Sequence, residues 1–348
     1  MYSLDEILRM SVEEKASDIH FTAGCPPYYR IDGVLTPLKG DKLQPTDLEA
    51  LLLPILDNRH RNELETNGQT DLAYAIPGVG RFRVNVYKQR GTLASAMRCL
   101  PFSIPDADSL GIPAEVQALT AKKRGLVLVT GPTGSGKSTT LASLVDIMNR
   151  KYPYHIITLE DPIEYLHRHQ YSMVNQREIG SDSNDYAQAL RAALREDPDV
   201  ILVGEMRDLE TISTALTASE TLHTIGADKT IDRIIDVFPP NQQQQVRIQL
   251  ASVLECIISQ QLIRREDGRG RVAALEVLFA NTAIRNMIRE NKTYQIISTM
   301  QTGKRQGMQT MDDAIYELFL RGEISADSAV SYAQKPGEMS GKVNFDMP

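Results

Sequence analysis

The chain has 348 residues, which is enough for two domains that each bury their own apolar core. Its 38 Lys and Arg residues against 45 Asp and Glu residues give a formal net charge of −7, which disfavours nucleic acid as a partner. Its three cysteines lie far apart in the sequence, so they indicate a reducing compartment rather than a disulfide framework or a four-cysteine zinc site.

Residues 1–100 have the pattern of a small α+β domain. A helical pattern, LDEILRMSVEEKA, is followed by the strand-like segments DIHFTAG, PYYRIDGVL and GRFRVNVYKQRGTLASAMRCL. In the last of these, Phe82, Val84 and Val86 alternate with polar residues, which is typical of half-buried strands. Residues 101–112 are rich in Pro and Asp, and this composition predicts a linker.

Residues 113–280 alternate apolar strand-like runs, such as LVLVTG, HIITLE and DVILVGE, with helical patterns. This alternation predicts an α/β domain with a parallel sheet and crossover helices. Residues 281–333 have helical patterns, whereas residues 334–348 lack a periodic apolar face and are predicted to be disordered. No segment approaches the roughly 20 apolar residues of a membrane span, so we expect a cytoplasmic chain without direct membrane insertion.

Residues 131–138, GPTGSGKS, form the complete phosphate-loop pattern. They follow a strand-like run and open a helical pattern, which is the context that the motif requires. Glycines let successive backbone N–H groups point at phosphate oxygens, and the helix N-terminus adds partial positive charge. We expect Lys137 to reach the β- and γ-phosphates of ATP and Ser138 to bind Mg²⁺. The predicted nucleotide-binding residues are Gly131, Pro132, Thr133, Gly134, Ser135, Gly136, Lys137, Ser138 and Thr139.

The segment DPDVILVGEMRD predicts a strand that delivers an acidic residue at its carboxyl end, where open α/β sheets bind ligands. That residue is Glu205, which we expect to polarise the attacking water. Gly204 stands where many phosphate-loop proteins have a metal-binding aspartate, so this strand offers the metal no carboxylate at that position.

A second strand-like run, HIITLEDPIEY, ends in Glu160, Asp161 and Glu164. Neighbouring carboxylates repel one another unless a cation lies among them, so these residues are candidates for contact with Mg²⁺ or its waters. Glu160 is the candidate metal residue among them. A solvated loop is the alternative interpretation.

Arginine often completes a site of phosphoryl transfer because it neutralises charge that develops in the transition state. Arg81, Arg83, Arg90 and Arg98 lie on two neighbouring strand-like runs of the first domain. On residue types alone, an ordinary charged sheet face explains these arginines better than a catalytic role does.

Seven motifs follow one another along the chain, and the family resemblance that they carry covers nearly the whole chain, from about residue 4 to residue 333. They are ASDIHF, GRFRVNVYKQRG, GPTGSGKSTT, ITLEDPIEY, DPDVILVGEMRDLETI, TLHT and AIRNMIRE. Together they closely resemble the secretion ATPase superfamily, and within it the PilT-type twitching motility or type IV pilus retraction ATPases.

The resemblance implies a PAS-like N-terminal domain, a RecA-like ATPase domain and a homo-hexamer with nucleotide held between the two domains. It implies that ATP hydrolysis with Mg²⁺ drives type IV pilus retraction. The implied partner is the inner-membrane platform protein of the pilus machine, so the chain would be cytoplasmic and peripheral at the inner membrane.

The resemblance also implies residue roles. Glu205 corresponds to the catalytic glutamate, and His223 to the histidine-box residue near the nucleotide. The three carboxylates that end HIITLEDPIEY correspond to the acidic box. Arg83 and Arg98 become the first candidates for phosphate contacts, with Arg90 behind them.

AIRNMIRE is the segment that indicates the retraction subtype. Its pattern alone predicts an amphipathic helix with Ala283, Ile284, Met287 and Ile288 facing inward, and plain packing explains such a pattern. In retraction ATPases a stretch of this form, usually with Leu at the position of Met287, is needed for pilus retraction. The motif comprises Ala283, Ile284, Arg285, Asn286, Met287, Ile288, Arg289 and Glu290.

One region departs from the family pattern, between Glu220 and Thr221. Relatives carry a glycine, a first histidine and an apolar strand before TLHT, whereas here ISTALTASE runs directly into it. The departure predicts a RecA-like sheet that lacks one strand, and the first family histidine has no counterpart.

Three other functions are alternatives to pilus retraction. A pilus assembly or type II secretion ATPase uses the same ATP site, but such proteins usually carry additional N-terminal domains and often a four-cysteine zinc element. A nucleotide-dependent switch, which signals by binding rather than by sustained turnover, is a second alternative. A guanine-specific switch would need an Asn-Lys-x-Asp loop, but Asn-Lys occurs only in NKTY. A RecA-like DNA recombinase or helicase is disfavoured by the acidic charge balance.

Overall fold

The structure is a computed structural model that describes residues 2–31, 33–100, 103–205, 211–213 and 226–346. The chain divides into two units. The first unit comprises residues up to 103 together with 164–166, and the second comprises residues 104–163 and those from 167 onward. Each unit has an apolar core of its own.

The first unit contains helices and one antiparallel sheet. Its strands are β1 (Asp18–Phe21), β2 (Tyr28–Ile31), β3 (Val34–Pro37), β4 (Gln69–Ile76), β5 (Gly80–Gln89) and β6 (Thr92–Cys99), and its helices are α1 (Leu4–Glu13), α2 (Pro45–Leu52) and α3 (Asn58–Asn67). The six strands pair in the order β3–β2–β1–β6–β5–β4.

Alternating residues give this sheet one buried face and one exposed face. Phe82 and Val84 on β5 are fully buried, whereas Arg83 between them is exposed. β5 and β6 form a hairpin whose turn residues, Arg90 and Gly91, have φ values of +49° and +77°. Positive φ at both positions is what a two-residue hairpin turn requires, so the two arginine-bearing strands are direct neighbours.

The second unit contains two three-stranded sheets among the described residues. Its strands are β7 (Leu126–Thr130), β8 (His155–Glu160), β9 (Met173–Glu178), β10 (Val200–Val203), β11 (Leu254–Arg264) and β12 (Arg271–Phe279). One sheet has the order β10–β8–β9 with parallel pairs, and the other has the order β12–β11–β7, in which β7 and β11 are parallel. The predicted α/β class with parallel strands and crossover helices is confirmed.

The helices of this unit pack around these sheets. They are α4 (Ala114–Gln117), α5 (Lys137–Lys151), α6 (Tyr186–Ala193), α7 (Ala227–Asp236), α8 (Pro240–Val253), α9 (Thr282–Arg289), α10 (Ile296–Thr302), α11 (Met311–Leu320), α12 (Ala326–Tyr332) and α13 (Pro336–Asp346). Within the described ranges, no helix combines the length and the apolar character needed to span a bilayer.

β7 and β10 are each an edge strand of their sheet. Each pairs with a neighbour on one side, and no described strand pairs with it on the other side. A cavity of about 330 Å³ lies there, lined by Val127 of β7, Ile201 of β10 and Leu144 of α5 among others. The departure before TLHT predicts a sheet that lacks a strand, and residues 214–225, in which the departure falls, lie outside the described residues.

The predicted disorder of residues 334–348 is wrong for the part of the tail that the structure describes. α13 spans Pro336–Asp346, and Met339 and Val343, one turn apart, are buried in a cluster with α11 and α12. Lys342 Nζ lies 5.3 Å from the ring centroid of Tyr316. Two apolar residues at i and i+4 are enough to dock a short helix onto a preformed face, although the composition of the segment is polar.

Candidate functional site

A glycine-rich loop joins β7 to α5, as the phosphate-loop pattern predicts. A Cβ atom on Gly131 would lie 2.2 Å from the backbone oxygen of Gln260, and one on Gly136 would lie 2.9 Å from the side-chain nitrogen of the same residue. Both glycines have φ in the left-handed region, at +143° and +89°. The loop is therefore packed closely against β11, and only glycine fits these two positions.

The loop also holds polar groups that a phosphate would satisfy. Ser135 is buried, and within the described residues its hydroxyl has no hydrogen-bond partner. Lys137 Nζ donates to the backbone oxygens of Gly131 and Pro132, at 2.9 and 3.0 Å. A buried unpaired hydroxyl is costly, and it stands here beside an ammonium group and the N-terminus of a 15-residue helix. These groups fit the phosphates of a nucleotide.

Gln260 is a residue of this site that the sequence reasoning missed. Its side chain is buried on β11, and its Oε1 accepts a 2.7 Å hydrogen bond from Thr140 Oγ1 in the first turn of α5. Gln260 therefore ties α5 to β11 while its amide nitrogen packs against the loop. The signal in the sequence is the polar triplet SQQ inside the apolar strand CIISQQLI.

Glu205 lies just beyond the carboxyl end of β10, as predicted. The Gly204 amide donates to the Leu159 oxygen over 2.7 Å, which extends the pairing of β10 with β8. A Cβ atom on Gly204 would lie 3.1 Å from both this oxygen and the Tyr186 hydroxyl, so an aspartate there would crowd the strand ends. The two parallel strands end together and place Glu160 and Glu205 at one edge of their sheet.

The three carboxylates of HIITLEDPIEY have different surroundings. Glu160 Oε1 accepts hydrogen bonds from Thr158 Oγ1 at 2.6 Å and from Gln176 Nε2 at 3.2 Å. Asp161 and Glu164 are exposed. Across the described part of the chain, no three His, Cys, Asp or Glu side chains gather where they could hold a metal ion. Contact of these carboxylates with Mg²⁺ or its waters therefore stays a prediction.

Arg83 and Arg98 stand directly opposite each other on β5 and β6. Both are exposed, and Arg98 Nε donates to Asp18 Oδ1 at 3.1 Å. Like charges in direct cross-strand register repel each other, and the single Asp18 carboxylate balances only one of the two positive charges. Two adjacent guanidinium groups are well suited to bind a phosphate.

Arg90 is separated from this pair. It occupies the hairpin turn, seven positions beyond Arg83 along the chain, which corresponds to about 24 Å of extended strand. The structure therefore brings together the two arginines that the resemblance ranks first and places the third elsewhere in the sheet.

AIRNMIRE forms α9 and the residue that follows it. Ile284 and Ile288 are buried and Met287 is half-buried, but Ala283 is exposed. The prediction that Ala283 faces inward is therefore wrong, because Ala283 lies about 100° around the helix from Ile284 and so outside the stripe that Ile284 and Ile288 form.

His223 lies outside the described residues, as does the rest of TLHT. Its role near the nucleotide therefore stays a prediction.

Comparison with known proteins identifies the family. Residues 2–328 match the family model described as type II/IV secretion system protein. The chain belongs to this family. It is 45% identical over 340 residues to the type IV pilus retractation ATPase PilT of Pseudomonas aeruginosa, covering 96% of this chain and 98% of that protein. It is 43% identical over 346 residues to a twitching motility protein of Neisseria gonorrhoeae, covering 97% and 92%.

A solved structure gives the same result. A crystal structure of the pilus retraction motor PilT with bound ADP superposes with a TM-score of 0.91 at 52% identity, covering 97% of this chain and 99% of that one. The resemblance to PilT-type ATPases that the motifs indicate is thereby confirmed over nearly the whole chain.

Proposed function

We propose that this chain is an ATP-hydrolysing motor that powers type IV pilus retraction and thereby twitching motility. The observation that carries the proposal is the phosphate loop between β7 and α5. Within the described residues the buried Ser135 hydroxyl of this loop has no hydrogen-bond partner, and the chain matches pilus retraction ATPases over nearly its whole length. The bound ADP of the similar PilT structure supports an adenine nucleotide as the ligand.

ATP with Mg²⁺ supplies the phosphoanhydride bond and the divalent charge that makes the terminal phosphate a better electrophile. The side chains and backbone of this chain bind the nucleotide and orient the attacking water. Loop amides and the α5 N-terminus bind phosphate oxygens, and Lys137 exchanges its two carbonyl contacts for phosphate contacts. Ser138 is the proposed metal ligand, with Glu160 acting through water. Glu205 orients the attacking water and accepts its proton.

Arg83 and Arg98 complete the neutralisation of charge in this proposal. Because they stand in direct register, one phosphate group can accept hydrogen bonds from both guanidinium groups and relieve their mutual repulsion. Arg90, in the hairpin turn, is too far along the sheet to share that phosphate.

The finer parts of the proposal concern assembly. We infer that residues 1–100 form a PAS-like domain, that 113–280 form a RecA-like core, and that 281–333 form its helical C-terminal part. Six copies would form a ring that turns over nucleotide in sequence and acts on the inner-membrane platform protein of the pilus machine. The similarity to PilT over nearly the whole chain supports these inferences.

Steady-state ATPase kinetics of the purified full chain test the proposal. Lys137→Ala removes a contact that neutralises phosphate charge, so we expect kcat to fall by about a hundredfold or more and ADP affinity to fall with it. Lys123→Ala, at an exposed lysine, is the matched control and should retain wild-type turnover. Wild-type turnover in Lys137→Ala would contradict the proposed phosphate site.

A further inference from the structure

Asp18 lies within a row of charged residues that crosses the sheet of the first unit. In the strand register it stands opposite Arg30 of β2 on one side and Arg98 of β6 on the other. Arg98 in turn stands opposite Arg83 of β5. Cross-strand partners share a face of the sheet, so the row places three guanidinium groups and one carboxylate side by side.

Asp18 contacts its two arginines through their Nε atoms. Its Oδ1 accepts from Arg98 Nε at 3.1 Å, and its Oδ2 lies 4.0 Å from Arg30 Nε. Within the described residues the Arg98 guanidinium has no other hydrogen bond. A guanidinium held only at Nε keeps both terminal amino groups for a second acceptor. The side chain of Arg98 is 67% exposed and that of Asp18 only 18%, so the carboxylate anchors the arginine while its terminal nitrogens stay accessible.

The anchor is itself fixed and charged. Ser17 Oγ donates to Asp18 Oδ2 at 2.8 Å, and the Ser17 amide donates to the Arg30 backbone oxygen at 2.8 Å. Burial raises the pKa of Asp18, but the hydrogen bonds from Ser17 and Arg98 together outweigh it, so the pKa lies below its ordinary value. At neutral pH the carboxylate is therefore an ionised acceptor in a defined position.

We propose that Asp18 is a positioning residue that holds Arg98 ready for a phosphate group of the nucleotide. The inference rests on the proposed function, in which Arg98 makes that contact. Arg83 repels Arg98 across the strand pair, and Asp18 offsets this repulsion while fixing the Arg98 side chain in one orientation. Arg83 and Arg98 together carry more positive charge than the one Asp18 carboxylate balances, so this pair still attracts an anion.

A double-mutant cycle in the full chain, read out by kcat and KM for ATP with Mg²⁺, tests this role. Asp18→Asn preserves shape but removes the charge, and we expect kcat to fall by about 10- to 100-fold with KM little changed. Arg98→Ala should lower kcat by about a hundredfold or more. If Asp18 acts through Arg98, adding Asp18→Asn to Arg98→Ala causes no further loss.

Arg30→Ala is the matched control, because it removes the more distant of the two arginines beside Asp18 and leaves the contact between Asp18 and Arg98 in place. Its kcat should stay within about twofold of wild type, as expected for a weak surface ion pair. A wild-type kcat in Asp18→Asn together with a low kcat in Arg98→Ala would overturn the positioning role of Asp18 but not the role of Arg98. Additive losses of kcat in the double variant would do the same.

Wild-type kcat in Arg98→Ala would overturn both this inference and the arginine step of the proposed function, while the Lys137 test would still stand by itself. If Asp18→Asn fails to fold, Ser17→Ala takes its place, because it removes the 2.8 Å hydrogen bond to Asp18 Oδ2 and otherwise only a longer one, of 3.3 Å, to the Arg30 backbone oxygen. A lowered kcat with unchanged KM in Ser17→Ala supports the role, and an unchanged kcat overturns it.

Discussion

Arg285 Nη2 donates to Glu255 Oε1 over 2.8 Å, which ties the AIRNMIRE helix to the start of β11. The same guanidinium donates through Nη1 to the backbone oxygens of Ala251 and Ser252, and through Nε to that of Ala280. Arg285 is therefore a clamp that holds α9 against the end of α8 and the beginning of β11. Arg285 therefore has a structural role within the AIRNMIRE motif.

Replacing Arg285 by Ala should lower the free energy of unfolding by about 2–4 kcal/mol, because it leaves three carbonyl oxygens and a half-buried carboxylate without this partner. Urea denaturation of the full chain measures the change. Arg289→Ala is the control from the same helix, since Arg289 contacts the side chain of Asn286 on its own helix and should change stability by no more than about 0.5 kcal/mol. Equal stabilities of the two variants would refute the clamp.

Gln260→Ala should weaken both the fold and the phosphate loop. It leaves the buried Thr140 hydroxyl without its acceptor and opens space beside Gly136, so we expect a loss of about 1–3 kcal/mol in unfolding free energy. ADP affinity, measured by calorimetry, should fall as well, because the loop loses its support. Gln245→Ala, at an exposed glutamine on α8, is the control. Unchanged ADP affinity in Gln260→Ala would show that the loop does not depend on this contact.

His167 predicts a pH dependence of stability. Its Nδ1 is buried without a hydrogen-bond partner in the described residues, and burial lowers its pKa from 6.5 to about 4. The unfolded chain therefore binds the proton first, so the stability that is fully present above the unfolded pKa is lost as the pH falls from 6.5 toward 4.

We expect this group to contribute a loss of about 1 kcal/mol per pH unit in that window. His167→Gln should flatten the dependence, as measured by urea denaturation at neutral and mildly acidic pH. The same slope in wild type and variant would assign the acid sensitivity to other groups.

The C-terminal helix α13 should contribute to the stability of the second unit. Met339 is 1% exposed, so Met339→Ala leaves a cavity and should cost about 2–3 kcal/mol of unfolding free energy. Phe345→Ala on the same helix removes a side chain that is 88% exposed and should cost almost nothing. Equal small effects of the two changes would indicate that α13 does not dock.

Features with a local cause could be predicted from the sequence. The phosphate loop follows from glycine and helix-start chemistry, and the strand that ends before Gly204 follows from a short apolar run. Successive side chains of a strand point to opposite faces of the sheet, so the alternation of apolar and polar residues predicts which positions of β5 are buried. Phe82 and Val84 are buried and Arg83 is exposed.

Features that depend on distant segments could not be predicted in this way. The Asp18–Arg98 contact joins residues 80 positions apart, and the Thr140–Gln260 contact joins residues 120 apart. No periodicity encodes such pairs, because strand order and register create them. The docking of α13 was missed for a related reason, since its buried face becomes visible only beside α11 and α12.

The central claim is that ATP turnover at this site powers pilus retraction. The most direct measurement replaces the native gene by the Glu205→Gln form, confirms that the protein accumulates, and then counts surface pili and tracks twitching. Because the amide cannot accept the proton of the attacking water, we expect abundant surface pili and no movement. Loss of surface pili would contradict the claim and indicate an assembly motor, and normal pili with normal twitching would show that turnover at Glu205 does not drive retraction.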